Sequence, residues 1–510
     1  MPAKIISAAL VGLEARIIEV EVDLSVGLHS FNIVGLPDPA INESKERVSS
    51  AIKNSGGSPP HHSNRRVIVN LAPADLKKEG SIYDLPIAIA YLIASEQLQT
   101  QNLEDKIFIG ELSLEGRVRQ INGVLSVALM AKKREFKTLF IPKNNSAEAA
   151  LVEGLEIIPV ENLEQLVAHL ENKKLINPAP VTDVSQFYQN IEHSFDMAYI
   201  KGQEHAKRAL EIAAAGHHNL IMNGPPGAGK TLLAKTLPSI LPPLGLEEAL
   251  EVTKIFSVAG YLSHRQPLIT TVPFRHPHHT ASAIALIGGG THPRPGEITL
   301  AHQGVLFLDE LPEFHRDVLE ALRQPLEDGT VIVSRASGSL EFPANFILIG
   351  AMNPCPCGKL TDPDRECFCS PSQITKYRRK ISAPLLDRID LHVEVPPVKY
   401  DKLSSEKVAE ESSKIRERVE YARDVQKQRF KEENIRTNSR MNLQQLKKYC
   451  QIDSISRNLL KNATTQLHLS ARSYYRVIKL ARTIADLSGQ INIQTIHLAE
   501  ALQYRPKEEF

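Results

Sequence analysis

The clearest signal in this sequence is the stretch Gly224-Pro225-Pro226-Gly227-Ala228-Gly229-Lys230-Thr231, which matches the pattern G-x-x-x-x-G-K-[ST]. Residues 219–222, which are apolar except for Asn219, precede it and predict a strand, and residues 232–235 begin a predicted helix. Glycines allow the backbone to close around a phosphate group, so that amides and the helix N-terminus face its oxygens. The pattern therefore predicts a phosphate-binding loop, in which Lys230 contacts the β- and γ-phosphates and Thr231 binds Mg²⁺.

Two further apolar segments end in polar residues and complete a predicted nucleotide site. Residues 304–308 form a buried strand that ends at Asp309 and Glu310, and residues 346–351 form another, followed by Asn353. We expect Asp309 to hold Mg²⁺ and Glu310 to orient and deprotonate the attacking water. Asn353 is predicted to hold that water or the γ-phosphate, the alternative being a turn-forming Asn-Pro pair. ATP and Mg²⁺ are the predicted cofactors.

The composition and the hydrophobic pattern of the sequence change on either side of these motifs. Residues 1–170 mix strand-like and helical segments and predict an α+β domain. Residues 171–190 carry prolines and polar residues without periodicity, as in a linker. Residues 191–397 contain every strong motif, and residues 398–510 are mostly helical. The predicted fold class is α/β, with an N-terminal α+β domain, a central P-loop α/β domain and a C-terminal helical lid.

Composition limits the class of protein. The 510 residues are 42% hydrophobic and 23% charged, which excludes a fibrous or disordered chain. The net charge of +1 does not by itself point to a nucleic-acid or membrane partner, so any such evidence must be local. Residues 401–510 hold 21 basic and 14 acidic residues. This local excess is either a phosphate-attracting surface or a solvated helix face. Because no signal peptide and no apolar run of about 20 residues is found, we expect a cytoplasmic protein without a membrane partner.

Four of the five cysteines form two C-x-C pairs, at Cys355, Cys357, Cys367 and Cys369. Four thiolates can close a tetrahedral Zn²⁺ site, and the pairs begin just beyond Asn353. A structural zinc ion is therefore one interpretation of the cluster. Reduced thiols in a surface loop are the other.

Together these motifs resemble the magnesium-chelatase-like branch of the AAA+ ATPases. Residues 274–280, 288–290 and 293–297 look like an insert of that branch. Residues 330–343 independently predict a hairpin around Ser-Gly. In the family such a hairpin faces a central pore, so Arg335 would lie at that pore.

The resemblance also implies arginines that act on the nucleotide from other parts of the fold. Residues 385–390 resemble an arginine-finger motif, so Arg388 would reach the γ-phosphate of the neighbouring subunit. A surface pair with Asp390 is the alternative. Arg472 resembles the second-sensor arginine that contacts the γ-phosphate in cis, with Arg476 as its competitor. A finger that acts in trans requires a ring, and the family forms hexamers.

The N-terminal region resembles the proteolytic domain of Lon, a fold of the ribosomal S5 domain 2 type, at residues 77–86 and 116–125. Lon-type proteolysis needs a serine that is activated by a lysine. Here the lysine position holds Leu125, and Ser81 lies in no clean nucleophile motif. We therefore expect a Lon-like domain without the peptidase dyad.

The order of these domains resembles the ComM/YifB-type family. The resemblance implies a homo-hexameric helicase that binds single-stranded and branched DNA without sequence preference. Such a motor drives branch migration during natural transformation. Two alternatives stay open: a chelatase-like motor that remodels a protein partner, and an ATP-dependent protease, which the missing dyad disfavours.

Overall fold

The computed structural model describes residues 2–62, 64–188, 194–263, 265–290, 294–335, 338–362, 365–398, 409–467 and 469–506. None of the helices within these ranges is long and apolar enough to cross a membrane. The chain divides into two compact units, unit 1 with Met1–Asn190 and Ala249–Ile269, and unit 2 with Ile191–Glu248 and Thr270–Phe510. The predicted domain boundaries at 1–170, 171–190, 191–397 and 398–510 stay predictions.

Unit 1 is built on a mixed sheet. Its strands are β1 (Ala3–Val11), β2 (Glu14–Val26), β3 (Ser30–Val34), β4 (Arg65–Ala72), β5 (Lys106–Phe108), β6 (Glu111–Leu112), β7 (Val118–Arg119), β8 (Thr138–Pro142) and β9 (Glu156–Val160). Seven of them form one sheet in the order β3-β4-β2-β1-β5-β8-β9, and β6 pairs with β7. The β1–β2 and β2–β4 pairs are antiparallel and the other pairs of the large sheet are parallel.

The helices of unit 1 are α1 (Pro39–Asn54), α2 (Asp84–Ala94), α3 (Val124–Lys133), α4 (Ser146–Ala149) and α5 (Leu163–Leu170). Helix α2 packs against β1, β2 and α1, which explains why its apolar residues are buried around most of the helix. Its first residue, Asp84, is also buried and is paired with Arg47 at 2.7 Å. Residues 249–269 join this unit partly through an ion pair of 2.5 Å between Lys254 and Glu14.

Unit 2 contains a parallel sheet. Its strands are β10 (Leu220–Asn223), β11 (Phe274–Arg275), β12 (Gly288–Gly289), β13 (Arg294–Pro295), β14 (Val305–Leu308), β15 (Thr330–Arg335), β16 (Gly338–Pro343), β17 (Ile347–Met352) and β18 (Leu391–Glu394). The central five-stranded sheet has the order β11-β14-β17-β10-β18, and every neighbouring pair in it is parallel. Strands β10, β14 and β17 are the three predicted from apolar runs.

The described helices after residue 200 belong to unit 2, apart from most of α8. They are α6 (Glu204–Gly216), α7 (Lys230–Ile240), α8 (Leu246–Ala259, of which residues from 249 onward belong to unit 1), α9 (Ala283–Ile287), α10 (Glu297–Leu300), α11 (Arg316–Ala321), α12 (Arg323–Asp328), α13 (Pro371–Arg378), α14 (Ala383–Leu386), α15 (Ser412–Arg429), α16 (Leu443–Tyr449), α17 (Ser454–Gln466), α18 (Ala471–Leu487) and α19 (Thr495–Gln503). The helices from α15 to α19 share one apolar core with β10, β17 and α6. The C-terminal region is helical, as the sequence predicts.

The predicted hairpin is present as the antiparallel pair β15–β16. Its tip includes Ala336 and Ser337, which lie outside the described residues, as does the side chain of Arg335. Pro293 of the predicted insert also lies outside them. The alternation of apolar and polar residues was sufficient to predict these two strands because each arm pairs with its immediate neighbour in sequence.

Candidate nucleotide site

Lys230 lies among oxygen atoms at the start of α7. Its ammonium group donates hydrogen bonds to the carbonyl oxygens of Gly224 (2.6 Å) and Pro225 (3.0 Å), and to Oδ1 of Asn353 (3.2 Å). Burial lowers the pKa of Lys230, although the two acidic residues after β14 act in the opposite sense. A buried ammonium group whose direct partners are neutral favours an additional anion, so this geometry suits a phosphate group.

The phosphate loop needs glycine where the backbone comes close to other atoms. A Cβ atom on Gly224 would lie 2.1 Å from the carbonyl oxygen of Val395. Gly229, which precedes α7, has a φ of 89°, in the left-handed region that favours glycine. Residues 224–231 therefore form the turn between β10 and α7 that the pattern predicts.

Thr231 and Asp309 come together at one end of the parallel sheet. The Thr231 hydroxyl donates a hydrogen bond of 2.7 Å to Oδ2 of Asp309. The two residues follow β10 and β14, which flank β17 in the sheet, and parallel strands bring their carboxyl ends to the same edge. A hydroxyl and a carboxylate are oxygen ligands that Mg²⁺ accepts, so both residues fit the predicted metal position.

Glu310 is held beside Asp309 by the backbone. Its amide donates to Oδ1 of Asp309 (3.0 Å), and its φ of 51° is unusual for a residue other than glycine. Its carboxylate lies 3.3 Å from Nδ1 of His279, a contact that sequence analysis did not predict. The position of His279 shortly after a strand could have indicated this contact. Strand β11 ends at Arg275 and pairs with β14, so the residues after β11 reach the same sheet edge.

Asn353 is fixed on both sides. Besides accepting from Lys230, it has a backbone hydrogen bond with the hydroxyl of Tyr377 in α13. Burial raises the pKa of Tyr377 to about 12, with a smaller contribution from Glu313, while the hydrogen bond with Asn353 opposes the rise. Helix α13 therefore contacts the predicted sensor position, which no local motif indicates.

Arg388 and Arg472 converge on the carboxylate of Glu327, in α12. Arg388 donates to Oε2 of Glu327 and to the carbonyl oxygen of Pro384 (2.7 Å), and Arg472 lies 3.2 Å from Oε1 of Glu327. The Arg388 side chain is 10% exposed and that of Arg472 57%. The hydrogen bond from Arg388 lowers the pKa of Glu327, against an opposing effect of burial. Glu327, and not Asp390, is therefore the acidic partner of the Arg388 side chain.

Arg476, the competitor of Arg472, belongs to a buried network. It donates to the carbonyl oxygen of Arg388 (2.9 Å) and to the carboxylate of Asp390, which lies 3.1 Å from Nδ1 of His218. Burial acts to raise the pKa of Asp390, but Arg476 and His218 hold it well below its usual value. The network holds Arg476 against Asp390, whereas Arg472 lies nearer the surface.

The four clustered cysteines come together in space. Their sulfur atoms lie within 4.8 Å of one another, with 3.4 Å between Cys355 and Cys357 and 3.6 Å between Cys357 and Cys367. Zn–S bonds of about 2.3 Å in a tetrahedron separate sulfur atoms by about 3.8 Å. A backbone hydrogen bond from Lys359, with contacts from the other thiols that include Cys369, lowers the pKa of Cys357 to about 6. The donor set therefore fits a tetrahedral metal ion.

The cysteine turn packs against the phosphate loop. Gly358 has a φ of 76°, and a Cβ atom there would lie 2.5 Å from Cδ of Pro226. Only glycine allows this close approach. The cluster therefore touches the loop after β10 as well as the loop after β17, whereas the sequence predicts a role only in the latter.

Ser81, in unit 1, has an acidic partner. Its hydroxyl donates to the carboxylate of Glu111, and the buried Lys78 donates to the carbonyl oxygen of Pro73. Leu125 is buried in α3. These contacts tie Ser81 and Lys78 to other groups. That unit 1 lacks peptidase chemistry stays a prediction.

The parallel sheet, the phosphate-binding loop and the C-terminal helices define a magnesium-chelatase-like AAA+ protein. Three family models match: "Magnesium chelatase, subunit ChlI" over residues 196–403, "Subunit ChlI of Mg-chelatase" over residues 20–145, and "Magnesium chelatase, subunit ChlI C-terminal" over residues 409–505. The chain belongs to the ComM/YifB family of such proteins.

The similarity to members of that family covers almost the whole chain. Competence protein ComM of Haemophilus influenzae is 42% identical over 510 residues, which is 99% of this chain and 97% of that protein. YifB of Escherichia coli is 42% identical over 499 residues, 98% of this chain and 96% of that protein. Lon protease 2 of Bacillus subtilis is 30% identical over 188 residues, 31% of this chain and 32% of that protein, which is consistent with a Lon-like part.

Proposed function

We propose that this chain is an ATPase that assembles into a homo-hexamer and uses hydrolysis to drive DNA branch migration. The observation that supports the proposal is that the predicted nucleotide-binding residues meet in one site in unit 2. Hydrogen bonds connect Lys230 to Asn353 and Thr231 to Asp309, so polar groups from three separately predicted motifs meet at one phosphate loop. A site with a cation, a metal-binding pair and a sensor amide suits phosphoryl transfer.

Each residue of this site has a proposed role toward Mg²⁺ and ATP. Lys230 and the amides of residues 224–231 bind the phosphates, and Thr231 with Asp309 holds Mg²⁺, which would neutralise charge on the phosphates. Glu310 orients the attacking water and accepts its proton, and Asn353 holds that water or the γ-phosphate.

Two arginines are proposed to complete the site. Arg388 acts on the γ-phosphate of the neighbouring subunit, and Arg472 acts in cis. We assign the second-sensor role to Arg472 because Arg476 is engaged with the buried Asp390. Glu327 holds both acting arginines in the single chain. It would have to release Arg388 when a neighbour's nucleotide competes for that guanidinium.

DNA is the proposed polymer on which the motor acts. The relative in Haemophilus influenzae carries the name competence protein, and residues 401–510 hold 21 basic against 14 acidic residues. The hairpin β15–β16 carries Arg335 at its end, where a family resemblance implies a pore. Contacts of this kind bind phosphates without reading sequence. We also propose a cytoplasmic location.

The test of this function is ATP hydrolysis with and without DNA. We expect single-stranded or forked DNA to stimulate hydrolysis, and the ATP-loaded protein to move a synthetic mobile junction. The Lys230→Ala variant should show no DNA-stimulated hydrolysis and should not move the junction, because it lacks the cation of the phosphate loop. DNA binding should weaken steeply with salt, since contacts to phosphate release counterions. If DNA neither binds nor stimulates, a chelatase-like motor that remodels a protein partner becomes the better function.

We also propose a structural Zn²⁺ ion on Cys355, Cys357, Cys367 and Cys369. Protein purified without chelator should contain one zinc ion per chain by elemental analysis, because four thiolates satisfy a tetrahedral ion. The double change Cys355→Ser/Cys357→Ser should remove the metal and lower the melting temperature.

Cys450 offers the matched control, because it is buried away from the cluster, next to Met441. The change Cys450→Ala should leave the zinc content at the wild-type level. Substoichiometric metal in the wild type, together with an unaltered melting temperature in the double variant, would favour free thiols.

A further inference from the structure

A cleft with a volume of 810 Å³ lies beside the nucleotide site in unit 2. One wall is formed by residues 312–316, which follow β14. The other is formed by helix α13 and by the residues directly after it. The cleft is separate from the phosphate loop, and neither wall is accounted for by the roles proposed above.

The α13 wall presents a row of polar side chains, in which the Thr375 hydroxyl already donates to the carbonyl oxygen of Pro371 (2.9 Å). Ser372, Thr375, Lys376 and Arg379 are spaced i, i+3, i+4 and i+7, which brings them to one side of a helix. The row extends about 10 Å at 1.5 Å per residue. Lys376 and Arg379 are exposed, and within the described ranges neither has a carboxylate partner.

The opposite wall adds a third cation, Arg316. Arg316 is exposed and is the first residue of α11, where a positive charge opposes the helix dipole. Arg316 also attracts Glu320, one turn later in α11. Glu313 and Lys380 form an ion pair of 2.9 Å between the walls. Even with that pair formed, three cations face the cleft: Arg316, Lys376 and Arg379.

We propose that this cleft binds the sugar-phosphate backbone of a nucleic-acid strand, an inference that rests on the proposed DNA-motor function. The Ser372 hydroxyl and the cations are spread along a line, which suits a repeating anion better than a single one, because a single anion needs converging donors. With a rise of about 3.4 Å per nucleotide in a strand, the row matches about three phosphates. Such donors fix the backbone and carry no sequence information.

The position of the cleft links such a strand to the nucleotide site. Its first wall begins two residues after Glu310, and Tyr377, on the buried side of α13, has a hydrogen bond with the backbone of Asn353. A strand held by Lys376 and Arg316 therefore lies next to the segments that carry Glu310, the predicted water-activating residue, and Asn353, the predicted sensor. This arrangement gives DNA a direct route to stimulate hydrolysis.

The test compares two variants that each remove three positive charges. The cleft variant is Arg316→Ala/Lys376→Ala/Arg379→Ala. The control variant changes residues 132–134 of unit 1, which are also exposed and basic: Lys132→Ala/Lys133→Ala/Arg134→Ala. Binding of a labelled oligothymidylate of about 30 nucleotides is followed by anisotropy between about 50 and 200 mM salt, with polyglutamate as competitor.

We expect the cleft variant to bind at least about tenfold more weakly and its salt slope to fall by about 2, since each phosphate contact on a single strand contributes about 0.7. The control variant should match the wild type. If the cleft variant does not assemble, Lys376→Gln/Arg379→Gln should still reduce the slope by about 1.4.

The outcomes separate this inference from the proposed function. A wild type without salt-dependent DNA binding would overturn both. A wild type that binds DNA, with a cleft variant of equal affinity and slope, would overturn the cleft alone. Competition by polyglutamate as strong as by DNA at equal charge would show that the cleft selects charge and not a phosphate backbone, which would also overturn it.

Discussion

Glu310→Gln is expected to bind ATP as the wild type does and to hydrolyse it at least about 100-fold more slowly, because a positioned general base contributes about 10²–10⁴-fold. The glutamine side chain keeps the shape of glutamate but cannot accept the proton of the attacking water. Because the Glu310 side chain is 54% exposed, the change removes no buried contact. Phosphate release and equilibrium binding of a fluorescent ATP analogue measure the two effects separately.

Asp317→Asn provides the matched control for this experiment. Asp317 follows Glu310 by seven positions, is 81% exposed and lies 3.4 Å from Nδ1 of His315. The control removes the same charge from the same region and should retain wild-type hydrolysis. Full activity in Glu310→Gln would contradict the assignment and would leave the base unidentified.

The parts of this site that can be predicted from sequence are those encoded in short continuous stretches of the chain. The phosphate loop is one uninterrupted stretch, and Asp309 and Asn353 each follow an apolar run that is long enough for a buried strand. Parallel pairing then brings the ends of those strands to the same edge without further information. The contact between Lys230 and Asn353 follows from that topology, although the residues are 123 positions apart.

Other contacts depend on side chains that no local pattern connects. Glu327 precedes Arg388 by 61 positions and Arg472 by 145, and an acidic residue near the end of a short helix has no distinctive signal. Gly358 meets Pro226 only because the cysteine turn folds back across the sheet edge. No local pattern predicts the placement of residues 249–269 either: they follow the phosphate-loop motif in sequence, but they pack in unit 1.

Arg388→Ala is expected to lower ATP hydrolysis at least about 100-fold while each subunit still binds ATP, because an arginine finger stabilises charge in the transition state and not in the ground state. Glu327 keeps a partner in this variant, since Arg472 lies 3.2 Å from its other oxygen. Arg323→Ala is the control, because Arg323 also pairs with a glutamate of its own chain, Glu320, and should leave hydrolysis unchanged.

Mixing the inactive Arg388→Ala and Glu310→Gln variants distinguishes a finger from a structural arginine. In a ring each active site lies between two subunits, so a Glu310-containing subunit next to an Arg388-containing one completes a site that neither variant can form alone. Equal mixing should create complete sites at about a quarter of the interfaces if assembly is random. Activity should therefore return to roughly that fraction of the wild type. No recovery at any ratio, in mixtures that light scattering shows to be assembled rings, would mean that Arg388 serves its own chain by binding Glu327.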